Sequence, residues 1–341
     1  MRTIRLGRTG FSVTRTGFGA LPVQRLSLED GARLLRRAYD AGINFFDTAR
    51  GYTDSEEKIG RALADVRSKL FIATKSGAGD KAAVLQHLET SLRQMKTDYV
   101  DILQLHTPRQ LPDPADPNSS YAALAEARKQ GKARFVGISN HSLAVARQAA
   151  ESGLYDTIQY PLSAISSAAE LRFVEECAAR DVGVIAMKPL CGGMLTNPAP
   201  SFVVLRQFDN LVPIWGIQRE RELDEILALE AHPPALDAAM RAEIERLRLE
   251  LAGDFCRACG YCLPCPANIP IPMAARMGYL LRRMPWQQFL SKEWREKMAL
   301  IDQCESCGHC REHCPYQLDP PKLMRKMYED YKSFCVEKES G

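Results

Sequence analysis

Between residues 16 and 216 short apolar runs alternate with longer stretches whose apolar residues return every three or four positions. The runs fall at 16–20, 44–47, 70–74, 99–105, 135–139, 157–160, 183–187 and 212–216. Each is too short for a helix, and most lack the in–out alternation of a strand with one wet face. Their alternation with helices predicts parallel pairing through right-handed crossovers. Eight strands separated by helices over about 215 residues predict a closed (β/α)8 TIM barrel. The competing doubly wound sheet lacks its glycine-rich turn after the first strand.

The punctuation agrees with this pattern. Ser27 is placed to cap a helix that carries Leu34, Leu35, Ala38 and Tyr39 on one face, and Gly42 suits its end. Gly131 likewise follows a helical run at 121–130. Residues 1–13, with Gly7 and Gly10, predict a hairpin ahead of the barrel. Residues 107–120 have no period and several prolines, which predicts a long loop after the fourth strand, on the rim. Beyond Gly216 the period changes. Residues 220–229 suit a last barrel helix, His232-Pro233-Pro234 breaks the chain, and 235–251 read as a charged amphipathic helix. We therefore expect a barrel at 1–232, a linker helix at 233–253 and a small, mostly helical domain at 254–341, with 269–303 helical.

Composition changes this picture at one point. A net charge of +3 in 341 residues argues against a nucleic-acid partner, and no apolar run reaches membrane length. The polar N-terminus lacks the apolar core of a secretory signal, so the expected location is cytoplasmic. The exception is cysteine: eight of eleven crowd into 256–265 and 304–314. In a reducing compartment such clusters indicate metal ligands rather than disulfides. Cys177 and Cys191 suit packing, and Cys335 carries no reading.

The first group is Cys256-x2-Cys259-x2-Cys262-x2-Cys265-Pro266, and the second is Cys304-x2-Cys307-x2-Cys310-x3-Cys314-Pro315. Three thiolates at such intervals can wrap three corners of an iron–sulfur cubane. The second run resembles the bacterial ferredoxin pattern, in which the fourth cysteine ligates the other cluster. That resemblance implies two [4Fe–4S] clusters. One would take Cys256, Cys259, Cys262 and Cys314; the other would take Cys304, Cys307, Cys310 and Cys265. Structural zinc favours two cysteine pairs across a longer spacer. The Cys-x3-Cys-x2-Cys run of radical-SAM chemistry does not occur. His309 and His313 are expected as exposed loop residues.

A second set of residues ends successive strands. Asp47 closes the second, with Tyr52 five residues on; Lys75 closes the third and His106 the fourth. Side chains at these ends share the catalytic rim of a barrel. The set resembles the tetrad of the aldo-keto reductase family, which implies a NAD(P)H-linked interconversion of carbonyl and alcohol. In that reading Tyr52 exchanges the proton, Lys75 lowers its pKa, Asp47 holds Lys75, and His106 orients the carbonyl. The resemblance also implies cofactor contacts at Ser139, Asn140 and Gln159, at Met187 and Lys188 after the seventh strand, and at Arg219, Arg221 and Glu225 after the eighth. The two arginines favour NADP over NAD. The sequence departs from the family at Met187, where an aromatic residue is common, at Trp215 in place of proline, and at Ile226 in place of asparagine. The family's closing substrate loop has no counterpart. Gly192 and Gly193 permit close backbone approach. Two alternatives stay open: an electron-transfer enzyme coupled to a flavin, ferredoxin or flavoprotein partner, though no flavin signature is present, and a redox sensor whose barrel only binds a nucleotide.

Overall fold

The computed structural model describes residues 1–251 and 255–340; residues 252–254, where the expected boundary ends, lie outside them. The described chain divides into two compact units. One is Met1–Pro189 with Pro198–Ile244, and the other is Leu190–Asn197 with the residues from Glu245 onward.

The first unit opens with the expected hairpin, β1 (Thr3–Arg5) and β2 (Ser12–Thr14), paired antiparallel with Ile4 opposite Val13. Eight parallel strands follow: β3 (Gly17–Gly19), β4 (Phe45–Asp47), β5 (Phe71–Ser76), β6 (Val100–His106), β7 (Ala133–Ser139), β8 (Thr157–Pro161), β9 (Gly183–Met187) and β10 (Leu211–Gly216). They run in sequence order, and β10 pairs back onto β3 to close the barrel. The helices between them are α1 (Leu28–Asp40), α2 (Ser55–Leu63), α3 (Lys81–Met95), α4 (Ser120–Lys129), α5 (Leu143–Glu151), α6 (Ala168–Ala179), α7 (Ala199–Leu205) and α8 (Glu220–Ala231). Their starts are chemically marked: Ser27, Asp80, Ser119, Ser142 and Ser167 each accept a backbone N–H of the first turn. Gly42, at φ 98°, turns the chain out of α1 as its position suggests.

The hairpin stops one end of the barrel. Ile4, Leu6, Phe11 and Val13 pack with Phe45, Ala73, Ile102, Ile185, Val212 and Ile214 from the strands. Phe11 stacks on Phe71 at 4.5 Å and meets Phe135 edge-on at 4.9 Å between centroids. Ile102 lies near the start of β6 and His106 at its end, so the plug occupies the N-terminal end and leaves the C-terminal rim as the open one.

The second unit takes in the C-terminal part of α9 (Ala238–Glu250), then α10 (Ile271–Ala274), α11 (Met277–Arg283), α12 (Lys292–Ala299), α13 (His309–Glu312) and α14 (Pro320–Ser340). The expected helical stretch at 269–303 is present as short helices and 3-10 turns; the long α14 was not expected. Among the described residues this unit contains no strand. Two differences from the sequence expectation concern boundaries. The division falls within α9 rather than at the His232-Pro233-Pro234 break, and the loop Leu190–Asn197 packs with the second unit. Inside that unit Arg283 donates to the Met194 carbonyl and pairs with Glu250.

Candidate functional site

Residues two apart on a strand share a face, so β6 turns Ile102, Gln104 and His106 inward and β5 turns Ala73 and Lys75 inward. The register sets Asp47 beside Ala73 and Lys75 beside Gln104. Tyr52 comes from the turn between β4 and α2. Its N–H donates to the Ala49 carbonyl at 3.0 Å, its carbonyl accepts from Ser55 N–H at 2.9 Å, and Arg50 N–H ties the turn to the Lys75 carbonyl at 3.0 Å. These constraints bring the four residues together. Lys75 Nζ donates to Asp47 Oδ1 at 2.7 Å and to the Thr48 carbonyl at 2.6 Å. It lies 5.3 Å from the centre of the Tyr52 ring. Tyr52 meets His106 edge-on at 5.7 Å between centroids.

The Asp47–Lys75 pair is buried, and burial raises Asp47 and lowers Lys75, while their mutual attraction opposes both shifts. The carboxylate gains two longer contacts, from Gln104 Nε2 and Gln159 Nε2, each at 3.4 Å. Gln104 also donates to Gln159 Oε1 at 2.9 Å. We read the pair as ionised, because three donors converge on Asp47. Burial, then the Asp47 charge, raises the Tyr52 phenol above its ordinary value. The sequence reading had Lys75 lowering it. Here the ammonium is engaged with Asp47 and Thr48, and depth of burial, which sequence does not reveal, dominates. His106 is pushed down to about 3, first by burial and then by Lys75, so its imidazole is neutral near pH 7.

The residues expected at the cofactor are distributed as follows. Ser139 Oγ donates weakly to the Leu105 carbonyl at 3.4 Å, and Asn140 Nδ2 donates to the Pro108 carbonyl at 2.7 Å. The Gln159 amide is drawn into the Asp47 network. Met187 and Lys188 leave the end of β9 half-buried, with Lys188 at the left-handed φ of 56°. Arg219 is the N-cap residue of α8, Arg221 stands exposed in its first turn, and Glu225 is exposed one turn on, above buried Ile226. Sequence reasoning missed Gln104. A polar residue two positions before His106 in an otherwise apolar strand is the signal that could have found it.

The eight clustered cysteines line two hollows of the second unit. Cys265, Cys304, Cys307 and Cys310 line one of about 400 Å³, mouth included. Cys256, Cys259, Cys262 and Cys314 line the other, of about 390 Å³, and Cys262 reaches both. The backbone repeats between the two runs. Ala258 and Ser306, Gly260 and Gly308, and Asn268 and Gln317 hold equivalent places and all have positive φ. Burial raises the Cys256 thiol, with Cys259 and Cys314 adding to the shift, and raises Cys310, with Cys304, Cys307 and Cys265 adding. Among the described residues no cysteine is joined in a disulfide. The donor set fits iron–sulfur clusters: at least four cysteine sulfurs line each hollow, and the buried His309 Nε2, with no hydrogen-bond partner, belongs to a residue lining the first. Among the described residues no three His, Cys, Asp or Glu side chains converge as a single-ion site would require. His309 and His313 are not the exposed loop residues expected. Both are half-buried around α13, their rings 4.1 Å apart, because the helix turns them onto one side.

A plugged parallel barrel whose open rim carries a buried ion pair, a phenol and a neutral imidazole is equipped for proton transfer to a small molecule. The chain belongs to the aldo/keto reductase family, whose description matches residues 15–202 and whose members are NAD(P)-dependent oxidoreductases. Residues 255–319 match the 4Fe-4S dicluster domain. The chain is 30% identical over 214 residues to L-galactose dehydrogenase of Arabidopsis thaliana, covering 57% of this chain and 67% of that protein. It is 27% identical over 221 residues to aldo-keto reductase YhdN of Bacillus subtilis, covering 58% of this chain and 64% of the relative. Among solved structures, a thermostable aldo-keto reductase in complex with the inhibitor epalrestat has 26% identity and a TM-score of 0.60, covering 72% of this chain and 100% of that one. An aldo/keto reductase from Klebsiella pneumoniae in complex with NADP and acetate, at 22% identity and TM-score 0.61 over 72% of this chain and 95% of that one, shares the fold.

Proposed function

We propose that the barrel interconverts an aldehyde or ketone with its alcohol at the expense of NAD(P)H, and that the second unit holds two [4Fe–4S] clusters with exchanged fourth ligands. The convergence of Asp47, Lys75, Tyr52 and His106 on the open rim carries the first part. A bound reduced nicotinamide supplies the hydride. Neutral His106 donates a hydrogen bond that orients the carbonyl oxygen. Tyr52, fully protonated because its pKa is raised, gives its proton to that oxygen as negative charge develops there, since an alkoxide is far more basic than a phenolate. Lys75 faces the Tyr52 ring and stabilises the phenolate left behind, and Asp47 keeps Lys75 charged and in place. Ser139, Asn140 and Gln159 are the residues we assign to the nicotinamide side, with Met187 and Lys188 beside them. Arg219 and Arg221 stand at the start of α8, after the eighth strand, where barrels of this kind bind phosphate. Their charge favours NADP, with Glu225 on the adenine side.

Cys256, Cys259, Cys262 and Cys314 would hold one cluster, and Cys304, Cys307, Cys310 and Cys265 the other. Bound clusters exchange single electrons, whereas nicotinamide delivers a pair. The two hollows therefore favour a second reading, in which a ferredoxin or flavoprotein partner, or a flavin, links the activities. Tyr52→Phe tests the reductase reading. Loss of carbonyl reduction with nicotinamide affinity and iron content retained supports it, and undiminished turnover refutes it.

A further inference from the structure

Arg276 is a buried cation without a carboxylate partner. Its relative exposure is 7%, and among the described residues no Asp or Glu pairs with it. Nε donates to the Pro272 carbonyl at 2.9 Å, and one terminal nitrogen approaches Met273 Sδ at 3.7 Å. The other terminal nitrogen lies 3.4 Å from where a Cβ on Gly192 would stand. Pro272 and Ala275, which shortly precede Arg276 in the chain, line the hollow formed by Cys256, Cys259, Cys262 and Cys314. Burial lowers the pKa of its guanidinium, and the ionisable groups near enough to oppose that shift are Cys256 and Cys191. Leaving a guanidinium buried and unpaired is costly. The cost is offset when an anion lies close by, and a hollow with four thiolates around an iron–sulfur core supplies one. The other hollow is lined instead by Glu305 and His309, and its Cys307 is exposed.

We propose that Arg276 is a positioning residue for the cluster of the Cys256 set: its fixed charge raises that cluster's reduction potential and leaves the cluster of the Cys304 set unaffected. The inference rests on the two-cluster reading above. Reduction adds one electron to an already anionic centre with no compensating proton, so a buried cation beside Cys256 favours the reduced form. The same side chain abuts the loop Leu190–Asn197, which continues from β9, so one cation serves as the common neighbour of a cluster ligand and of that loop.

The test is an anaerobic redox titration of the full-length, iron-loaded protein, followed by electron paramagnetic resonance, for wild type, Arg276→Gln and Arg276→Lys. The expected result is two reducible centres in wild type. In R276Q one of the two shifts to lower potential while the other stays, and in R276K both remain near wild type. If R276Q fails to retain one cluster, R276K decides. Retention of both clusters there supports a requirement for the charge, and loss of the cluster despite the charge overturns it. Two centres in wild type with both potentials unmoved in R276Q overturn the inference alone. A wild-type protein without two such centres removes the two-cluster reading and the inference with it.

Discussion

Replacing Asp47 with Asn leaves Lys75 buried without its paired carboxylate, with only the weaker pull of Glu56. In the wild type the two side chains are 2% and 0% exposed and their charged atoms 2.7 Å apart. Removing one partner of a buried pair costs about 3–5 kcal/mol. The penalty has a ceiling, because the ammonium can surrender its proton. From an unfolded value of 10.5, deprotonation at pH 7 costs roughly 5 kcal/mol and at pH 9.5 roughly 1.4 kcal/mol, at about 1.4 kcal/mol per pH unit. The unfolded chain then holds one more proton than the folded chain over that window, so the stability of Asp47→Asn rises with pH until 10.5 is passed. Its deficit relative to wild type should shrink from about 3–5 kcal/mol at pH 7 toward about 1.5 kcal/mol at pH 9.5. Urea denaturation followed by circular dichroism at the two pH values measures this. A companion Asp47→Asn/Lys75→Met variant should recover much of the loss, because neither charge remains. A deficit below about 1 kcal/mol, one that does not change with pH, or strictly additive single substitutions would refute the buried-pair argument.

Other outcomes follow from the same structure. His106 is depressed to about 3, so between that value and 6.5 the unfolded chain binds the extra proton, and His106 erodes stability as pH falls through 6.5. His106→Asn should therefore lose less stability than wild type between pH 7 and pH 4, and the His106 imidazole carbons of wild type should show no titration near 6.5 by nuclear magnetic resonance. With exchanged fourth ligands, Cys314→Ser and Cys256→Ser should abolish the same paramagnetic signal, and Cys265→Ser and Cys304→Ser the other; Cys314→Ser grouping with Cys304→Ser would contradict the assignment. Phe11→Ala should destabilise the barrel by about 3–5 kcal/mol in a denaturation experiment, as for a large ring removed from a core, since Phe11 closes it against Phe71 and Phe135.

The barrel was legible because eight short apolar runs alternate with helical stretches, and β6 (Val100–His106) carries such a run up to its C-terminal end. The tetrad was legible for a related reason: Asp47, Lys75 and His106 each end an apolar run with a polar residue that the rim must explain. The cysteine runs declared themselves by spacing, while their division between two clusters is what the ferredoxin resemblance implies. Gln104 was hidden because one amide inside an apolar strand resembles an ordinary core exception until Asp47 and Gln159 are seen around it. The raised Tyr52 phenol was also hidden, since order along the chain says nothing about depth of burial or about which partner holds Lys75. The membership of Leu190–Asn197 in the second unit depends on contacts with Arg276 and Arg283, more than eighty positions away, which no local pattern records.

The most direct test of the central claim follows the hydride itself. Iron-loaded protein is mixed anaerobically with NADPH deuterated at the transferable position and with a panel of aldehydes and ketones, and the products are analysed by mass spectrometry. The account predicts alcohol carrying deuterium at the former carbonyl carbon from wild type, and none above background from Tyr52→Phe. Reduction of the iron–sulfur absorption by NADPH with no deuterated alcohol from any carbonyl would contradict it, and would make electron transfer, rather than carbonyl reduction, the work of this barrel.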